Sequence, residues 1–236
     1  MKQFSFQHDV ALAVLVFGIA GSVWGARRHP GRWMRPFEIA LASLIFAAWA
    51  GEYVADVIQG VWSVQYTLPL QLTDAVSLAS IVALLTRGQL FVELAYFWTF
   101  TASLQAVLTP DLAQTFPSVF YFTYFIYHVG AIVAASFLVF GCRQYPRRGA
   151  VWRVFWITLA WTAIAGTGDL ITGGNYMYLR TKPVHNSLLS VMGPWPWYVL
   201  GGTALGLALL LLVDGLTRAF GGVPGGGRGA RELVLR

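Results

Sequence analysis

Seven ionisable side chains, Glu52, Asp56, Asp74, Glu93, His128, Asp169 and Asp214, stand inside stretches of sequence that are otherwise apolar. Such groups are costly in lipid unless they pair with one another or serve a site. Two have a local explanation: Asp214 precedes Arg218 by four residues, the spacing of neighbours on one helix face, and Glu93 is assigned to Arg87, about one and a half turns away. His128 is the most informative of the rest. It can be a buried neutral imidazole bonded to a neighbouring helix, a general base, a metal ligand or a proton relay, because imidazole titrates near neutrality. With His128 as base, the nucleophile is a hydroxyl at the same depth, and Thr73 fits. A hydroxyl attacks only when an adjacent base takes its proton. Gln71, Gln105 or helix-end amides would then donate to the developing oxyanion, and Asp74 would orient the imidazole or cap its own helix. The plainer alternative for Thr73 is a hydroxyl bonded to its own helix backbone.

Metal chemistry fits less well. His8, His29 and His185 lie outside the apolar runs, which leaves one intramembrane imidazole for zinc, a metal that wants several nitrogen or sulfur ligands. Glu52, Asp56, Asp74 and Asp169 could together hold a harder cation, but no metal and no cofactor is expected. A retinal Schiff base needs an intramembrane lysine, and the lysines are Lys2 and Lys182. A seven-helix zinc hydrolase of the ceramidase type needs a histidine cluster that is absent from this sequence.

The elements that position these groups follow from composition. The 236 residues are 57% hydrophobic and 11% charged, where a soluble domain is about 25% charged. Seven apolar runs, at about 9–26, 36–58, 69–86, 88–108, 117–142, 150–172 and 196–220, are each about long enough to cross roughly 30 Å of hydrocarbon as a helix. Strands are excluded because only helices and closed barrels satisfy the backbone in lipid, and the runs are too long and continuous for barrel strands. Prolines at Pro36, Pro69, Pro117 and Pro196 mark helix starts. The expected fold is therefore all-α, a single seven-helix transmembrane domain over residues 1–220. The segment 221–236 is Gly-rich and basic, lacks core-forming content, and is expected to be a disordered cytoplasmic tail.

Basic residues set the expected orientation. Arg27, Arg28, Arg32 and Arg35, then Arg87, then Arg143, Arg147, Arg148 and Arg153, and finally Arg218, Arg228, Arg231 and Arg236 place 13 of the 16 on one side. The C-terminus is thus expected in the cytoplasm and the N-terminus outside, with the first run an uncleaved helix. Trp62, Tyr66, Tyr176, Tyr178, Trp195, Trp197 and Tyr198 gather on the outer side as an interfacial belt would. The basic residues sit in short loops, so the net charge of +6 reports topology and not a nucleic-acid partner. Cys142, the only cysteine, forms no intrachain disulfide. The expected location is the cell membrane, and the expected partners are membrane lipids; the oligomeric state is open.

At about 1.5 Å per residue, Thr73, His128, Glu52, Gln105 and Asp169 all come out roughly 20–28 Å above the cytoplasmic helix ends. Five helices thus bring polar groups to one outer-half layer. Within helices, Tyr121, Tyr124 and His128 share a face by i, i+3, i+7 spacing, as do Trp49, Glu52 and Asp56, and Trp98, Thr101 and Gln105. Each stripe is alternatively interhelical packing.

Six segments carry a resemblance. Leu68-Pro69-Leu70-Gln71-Leu72-Thr73-Asp74, Glu93-Leu94-Ala95-Tyr96-Phe97-Trp98, Leu104-Gln105-Ala106-Val107-Leu108-Thr109-Pro110-Asp111, the stretch through Tyr127-His128-Val129-Gly130, Asn175-Tyr176-Met177-Tyr178-Leu179-Arg180 and Gly193-Pro194-Trp195-Pro196-Trp197-Tyr198 follow one another in order. Over about residues 36–215 they resemble the YwaF-like family of bacterial integral membrane proteins. That family is similar to eukaryotic membrane acyltransferases that remodel ether phospholipids through a cysteine, and more distantly to androgen-induced hydrolases of fatty-acid esters that use a threonine and a histidine. Family members commonly read Leu-Pro-Leu-His-Leu-Cys at this point, where this chain has Gln71 in place of the histidine and Thr73 in place of the cysteine, and His128 is retained. What the resemblance implies is the threonine variant of an acyl-transfer enzyme, hydrolase or acyltransferase. Thr73 and His128 would be catalytic, Gln71, Asp74 and Gln105 supporting. Glu52, Asp56, Tyr121, Tyr124, Trp98, Thr101 and Asp169 would surround the pocket, with Asn175 and Tyr176 at its outer mouth. The alternatives are a transporter or small-molecule binding protein using the same pocket, and a member that has lost catalysis with the cysteine.

Overall fold

The computed structural model describes residues 3–110, 112–183 and 188–220. Lys2, Asp111, His185 and the Gly-rich tail at 221–236 lie outside the described residues. Among the described residues there are helices and no strands. The long helices are α1 (Phe6–Arg28), α2 (Met34–Ile58), α3 (Leu72–Thr86), α4 (Gln89–Leu108), α5 (Val119–Gly141), α6 (Ala150–Thr172) and α7 (Trp197–Phe220). Six of them are long and apolar enough to cross a membrane; α3, with 15 residues, is the short one.

Helix α5 is the centre of the bundle. It is 83% buried over its most apolar window, against 6% for α7, so α5 is surrounded by protein and α7 lies at the rim. Small buried residues of α5, Gly130, Ala131, Ala134 and Ala135, let neighbouring backbones come close. A Cβ on Gly130 would stand 2.8 Å from Ile45 Cγ1, so the α2–α5 contact is closed at that point by the absence of a side chain. Helices α1, α2, α3 and α4 pack around α5, while α6 and α7 are joined to the rest mainly through α4 and through the loop that follows α6.

Two features depart from uniform helices. The apolar run 69–86 is helical only from Leu72, because Leu68–Leu70 forms a tight turn in which Leu70 N–H donates to Leu68 O at 2.7 Å. At 1.5 Å per residue α3 is about 22 Å long, short of the roughly 30 Å of hydrocarbon. Its first turn meets α2 at Trp49 and Tyr53, well before α2 ends at Ile58. Non-helical backbone at such a depth is tolerated where protein covers it or where it lines a polar cavity. The second departure is a π-helical turn in each of α4 (Thr99–Ser103) and α5 (Phe137–Gly141).

One end of the bundle is basic. There the fully buried Glu38 carboxylate receives Arg35 Nη1 at 3.4 Å and Arg87 Nη2 at 2.5 Å. The fully buried Glu93 receives Arg147 Nε at 2.9 Å and Arg153 Nη2 at 3.0 Å. This corrects the assignment of Glu93 to Arg87: Arg87 sits at the left-handed C-cap of α3, φ 51°, and turns to Glu38 on α2, which leaves Glu93 to the loop before α6 and to α6 itself. The Asp214–Arg218 pair forms as the spacing indicates, at 2.7 Å. Arg27 adds a bond from Nε to Phe140 O.

Candidate functional site

The short α3 opens on a polar cavity of about 120 Å³, lined by Trp49, Glu52, Tyr53 and Asp56 of α2, by Tyr66, Thr67, Leu68 and Gln71 of the approach to α3, by Thr73 and Asp74 of its first turn, and by Tyr127 of α5. Asp74 organises it. Its Oδ1 accepts Trp49 Nε1–H at 2.9 Å and the Tyr53 hydroxyl at 2.5 Å, and its Oδ2 accepts the Gln71 amide at 2.9 Å. The last bond is the return half of a capping box, a third-position carboxylate reaching back to the cap amide. Asp74 therefore caps its own helix and ties it to α2, and no bond to His128 is formed. Gln71 extends the wall: its Oε1 accepts Met177 N–H at 2.9 Å.

Thr73 is half-buried, and its hydroxyl has no hydrogen-bond partner among the described residues. The residue stands at the second helical position, where backbone amides lack an intrahelical acceptor. Glu52 interacts with Thr123 and Tyr127 of α5, while its Oε2 is buried without a hydrogen-bond partner. His128 is 2% exposed, its ring centroid is 4.5 Å from those of Tyr124 and Tyr127, and its Nδ1 has no partner. The imidazole is not on the cavity wall; Tyr127, against which it packs, is. Among the described residues no group of three His, Cys, Asp or Glu side chains is placed to hold a metal ion.

The other expected residues separate. Tyr121 donates to Gln7 O at 2.8 Å and fastens α1, whereas Tyr124 donates to Ala106 O at 2.8 Å and fastens the end of α4. Trp98 and Thr101 line a different, larger cleft. Gln105 is exposed and on neither wall; the π turn at Thr99–Ser103, which contains Thr101, breaks the i, i+3, i+7 stripe that joins Trp98, Thr101 and Gln105 in a uniform helix. Asp169 is buried, and its Oδ1 accepts Tyr176 N–H at 2.6 Å. Asn175 closes its own loop on Arg180 and Thr181. Tyr176 does not line an outer mouth: it is fully buried, its hydroxyl accepts Leu68 N–H at 2.9 Å and donates to Val64 O at 2.7 Å, and burial pushes its phenol above the ordinary value. It pins the loop after α6 to the approach to α3. Tyr176→Phe is expected to cost about 1–3 kcal/mol through the stranded backbone groups, measured by thermal unfolding in detergent.

The larger cleft holds about 250 Å³ between α4, α6 and α7. Leu72 lines it while Thr73 lines the polar cavity, and Met177 lines it while Gln71, to which it is bonded, lines the polar side. The two spaces thus share one thin wall. Tyr53 and Tyr127 escaped the sequence reading; Tyr53 follows Trp49 by four residues and Tyr127 precedes His128, so the signal was an aromatic beside each residue already singled out.

A family model described as the TMEM164 family matches residues 3–214. The chain belongs to the TMEM164 family. No curated protein and no solved structure matches it. The match runs from the residues before α1 to Asp214 of α7, so both spaces and both basic-end clusters belong to the TMEM164 unit. Family membership and the apolar helices together make it a multi-pass membrane protein.

Proposed function

We propose that this TMEM164-family chain is a lipid acyl-transfer enzyme, hydrolase or acyltransferase, working in the outer half of a cell membrane with Thr73 as its nucleophile. The observation that supports the reading best is the free Thr73 hydroxyl in a polar cavity at the head of α3, one residue from an apolar cleft. Thr73 Oγ1 attacks the ester carbonyl carbon, its proton passes to His128, and the alcohol leaves with a proton, giving an acyl-threonine. Water or a second alcohol then takes the acyl group. His128 is assigned as the base because its buried Nδ1 has no partner; being off the cavity wall, it would act through Tyr127, which lines the cavity and packs against the imidazole. The unbonded amides at the start of α3 serve the developing oxyanion, as helix N-termini do.

Purified protein in vesicles containing a fluorogenic ester phospholipid tests this. Thr73→Ala and His128→Ala are each expected to lower turnover by about 10²–10⁴-fold, with Thr73→Cys retaining activity through a thioester. Unchanged turnover in both alanine variants would overturn the reading.

A second reading has its own support: the unpartnered Glu52 Oε2, with Asp56 and Asp74 on the same wall, suits a proton-coupled binding or transport site. It predicts pH-dependent solute uptake into vesicles that Glu52→Gln abolishes and Thr73→Ala leaves intact.

A further inference from the structure

We propose that the cleft between α4, α6 and α7 is the seat of a single lipid hydrocarbon chain, which enters sideways from the bilayer and ends against the Gln71–Met177 wall. Its surface chemistry is the argument. Four threonines line the cleft, Thr101, Thr158, Thr162 and Thr203, yet every hydroxyl donates to the carbonyl four residues earlier on its own helix: to Phe97, Val154, Thr158 and Val199, at 2.7–2.9 Å. Trp98 Nε1–H is taken by Thr158 Oγ1 at 2.7 Å, and the Tyr198 hydroxyl by Tyr178 O at 2.9 Å. The threonine hydroxyl protons are therefore all engaged within their own helices. A sugar, nucleotide or peptide would lose hydrogen bonds to water on entering and find those donors engaged, whereas a hydrocarbon chain loses none.

Shape and place agree. Along α7 the lining runs from Tyr198 to Leu210, about 18 Å at the helical rise and close to the hydrocarbon of one leaflet, half of roughly 30 Å. The volume, about 250 Å³, is below the about 300–1,000 Å³ of drug-sized sites, and suits one chain better than a two-chain lipid or a protein helix. Width comes from Gly206, where an added Cβ would meet nothing within 4 Å; at Gly202 it would meet Leu189 at 3.2 Å. Between the buried Tyr198 and Leu210 the α7 residues that line the cleft are half-buried, so its open side faces where lipid would be.

That the chain's ester end reaches Thr73 rests on the acyl-transfer reading; that a chain occupies the cleft does not. The test is therefore a labelling experiment without turnover. The full chain in phosphatidylcholine vesicles is irradiated with a phospholipid carrying a diazirine in mid-chain, and adducts are mapped by mass spectrometry. Label is expected on the cleft residues Phe155, Leu207 and Leu210. Gly206→Trp is expected to reduce it by roughly tenfold, the partition change brought by excluding about two methylenes; Gly206→Ala and Thr73→Ala should leave it in place. Label confined to the outward Leu200, Leu211 and Leu212, and indifferent to Gly206→Trp, would overturn the proposal even if Thr73 proves essential for turnover. Conversely, label in the cleft with turnover indifferent to Thr73→Ala would overturn the acyl-transfer reading and leave the chain site standing.

Discussion

Removing both arginines from Glu93, as Arg147→Ala with Arg153→Ala, is expected to destabilise the folded chain by about 3–5 kcal/mol, the range for stranding one partner of a buried ion pair. The size follows from an asymmetry. The Glu93 side chain is fully buried, while Arg147 and Arg153 are 54% and 37% exposed. Without them the carboxylate keeps its burial and loses its five guanidinium bonds and most of its counter-charge; only the Arg147 backbone amide still donates to it, at 2.9 Å. Glu93→Leu is expected to be milder, because the two arginines it strands can turn to water. Adding Glu93→Leu to the double variant should then restore most of the loss. Thermal unfolding of the four proteins in one detergent checks the order: wild type, then the triple variant and Glu93→Leu, then the double arginine variant. A double variant as stable as the wild type would mean that Glu93 does not need its partners.

Asp74→Ala carries the second largest expected effect. Three donors converge on that carboxylate, Trp49 Nε1–H, the Tyr53 hydroxyl and the Gln71 amide, and alanine satisfies none. At about 1–3 kcal/mol for each buried polar group left unpaired, and with some regained from water in the cavity, a loss of about 2–5 kcal/mol is expected. Asp74→Asn, which keeps the acceptor oxygen, should recover roughly half. The functional consequence is separable. Thr73 is the preceding residue, so a frayed first turn displaces its hydroxyl, and misplacement by about 1 Å lowers rates by about 10²-fold. Under the proposed acyl-transfer function, turnover of the ester lipid, measured below the unfolding temperature, is expected to fall by that order in Asp74→Ala with little change in lipid binding. Equal loss of both would place Asp74 in binding instead.

What could be read from the residues depended on how local each relation is. The Trp49, Glu52 and Asp56 stripe needs only the helical period, and all three residues line the polar cavity. The Asp214–Arg218 pair is one helical turn and forms. The partners of Glu93 lie 54 and 60 residues further along the chain, and no periodicity names them. Glu38 is similar: nothing in its own stretch of sequence marks it, and packing with Arg87, 49 residues further along, buries it. Tyr176 reads as an interfacial aromatic by type and position, and becomes a buried strut only because Asp169 holds its amide while its ring fills the gap between two loops. Tyr121 and Tyr124 are three residues apart, close enough in angle to be grouped; α1 and the end of α4 meet α5 on either side of that angle and divide them.

The π turn at Thr99–Ser103 amounts to one residue inserted into α4. A relative lacking that residue would turn everything beyond it by about 100°, one residue's share of a 3.6-residue turn. The carbonyl of Ala106, which now receives the Tyr124 hydroxyl, would swing away, and the residue at Gln105 would come round toward the interior. Length variation of a single residue in this stretch is thus a coupled event: chains that have lost it should also have changed the residue at Tyr124, and an aligned set of sequences would carry that pairing as a record of when the insertion arose.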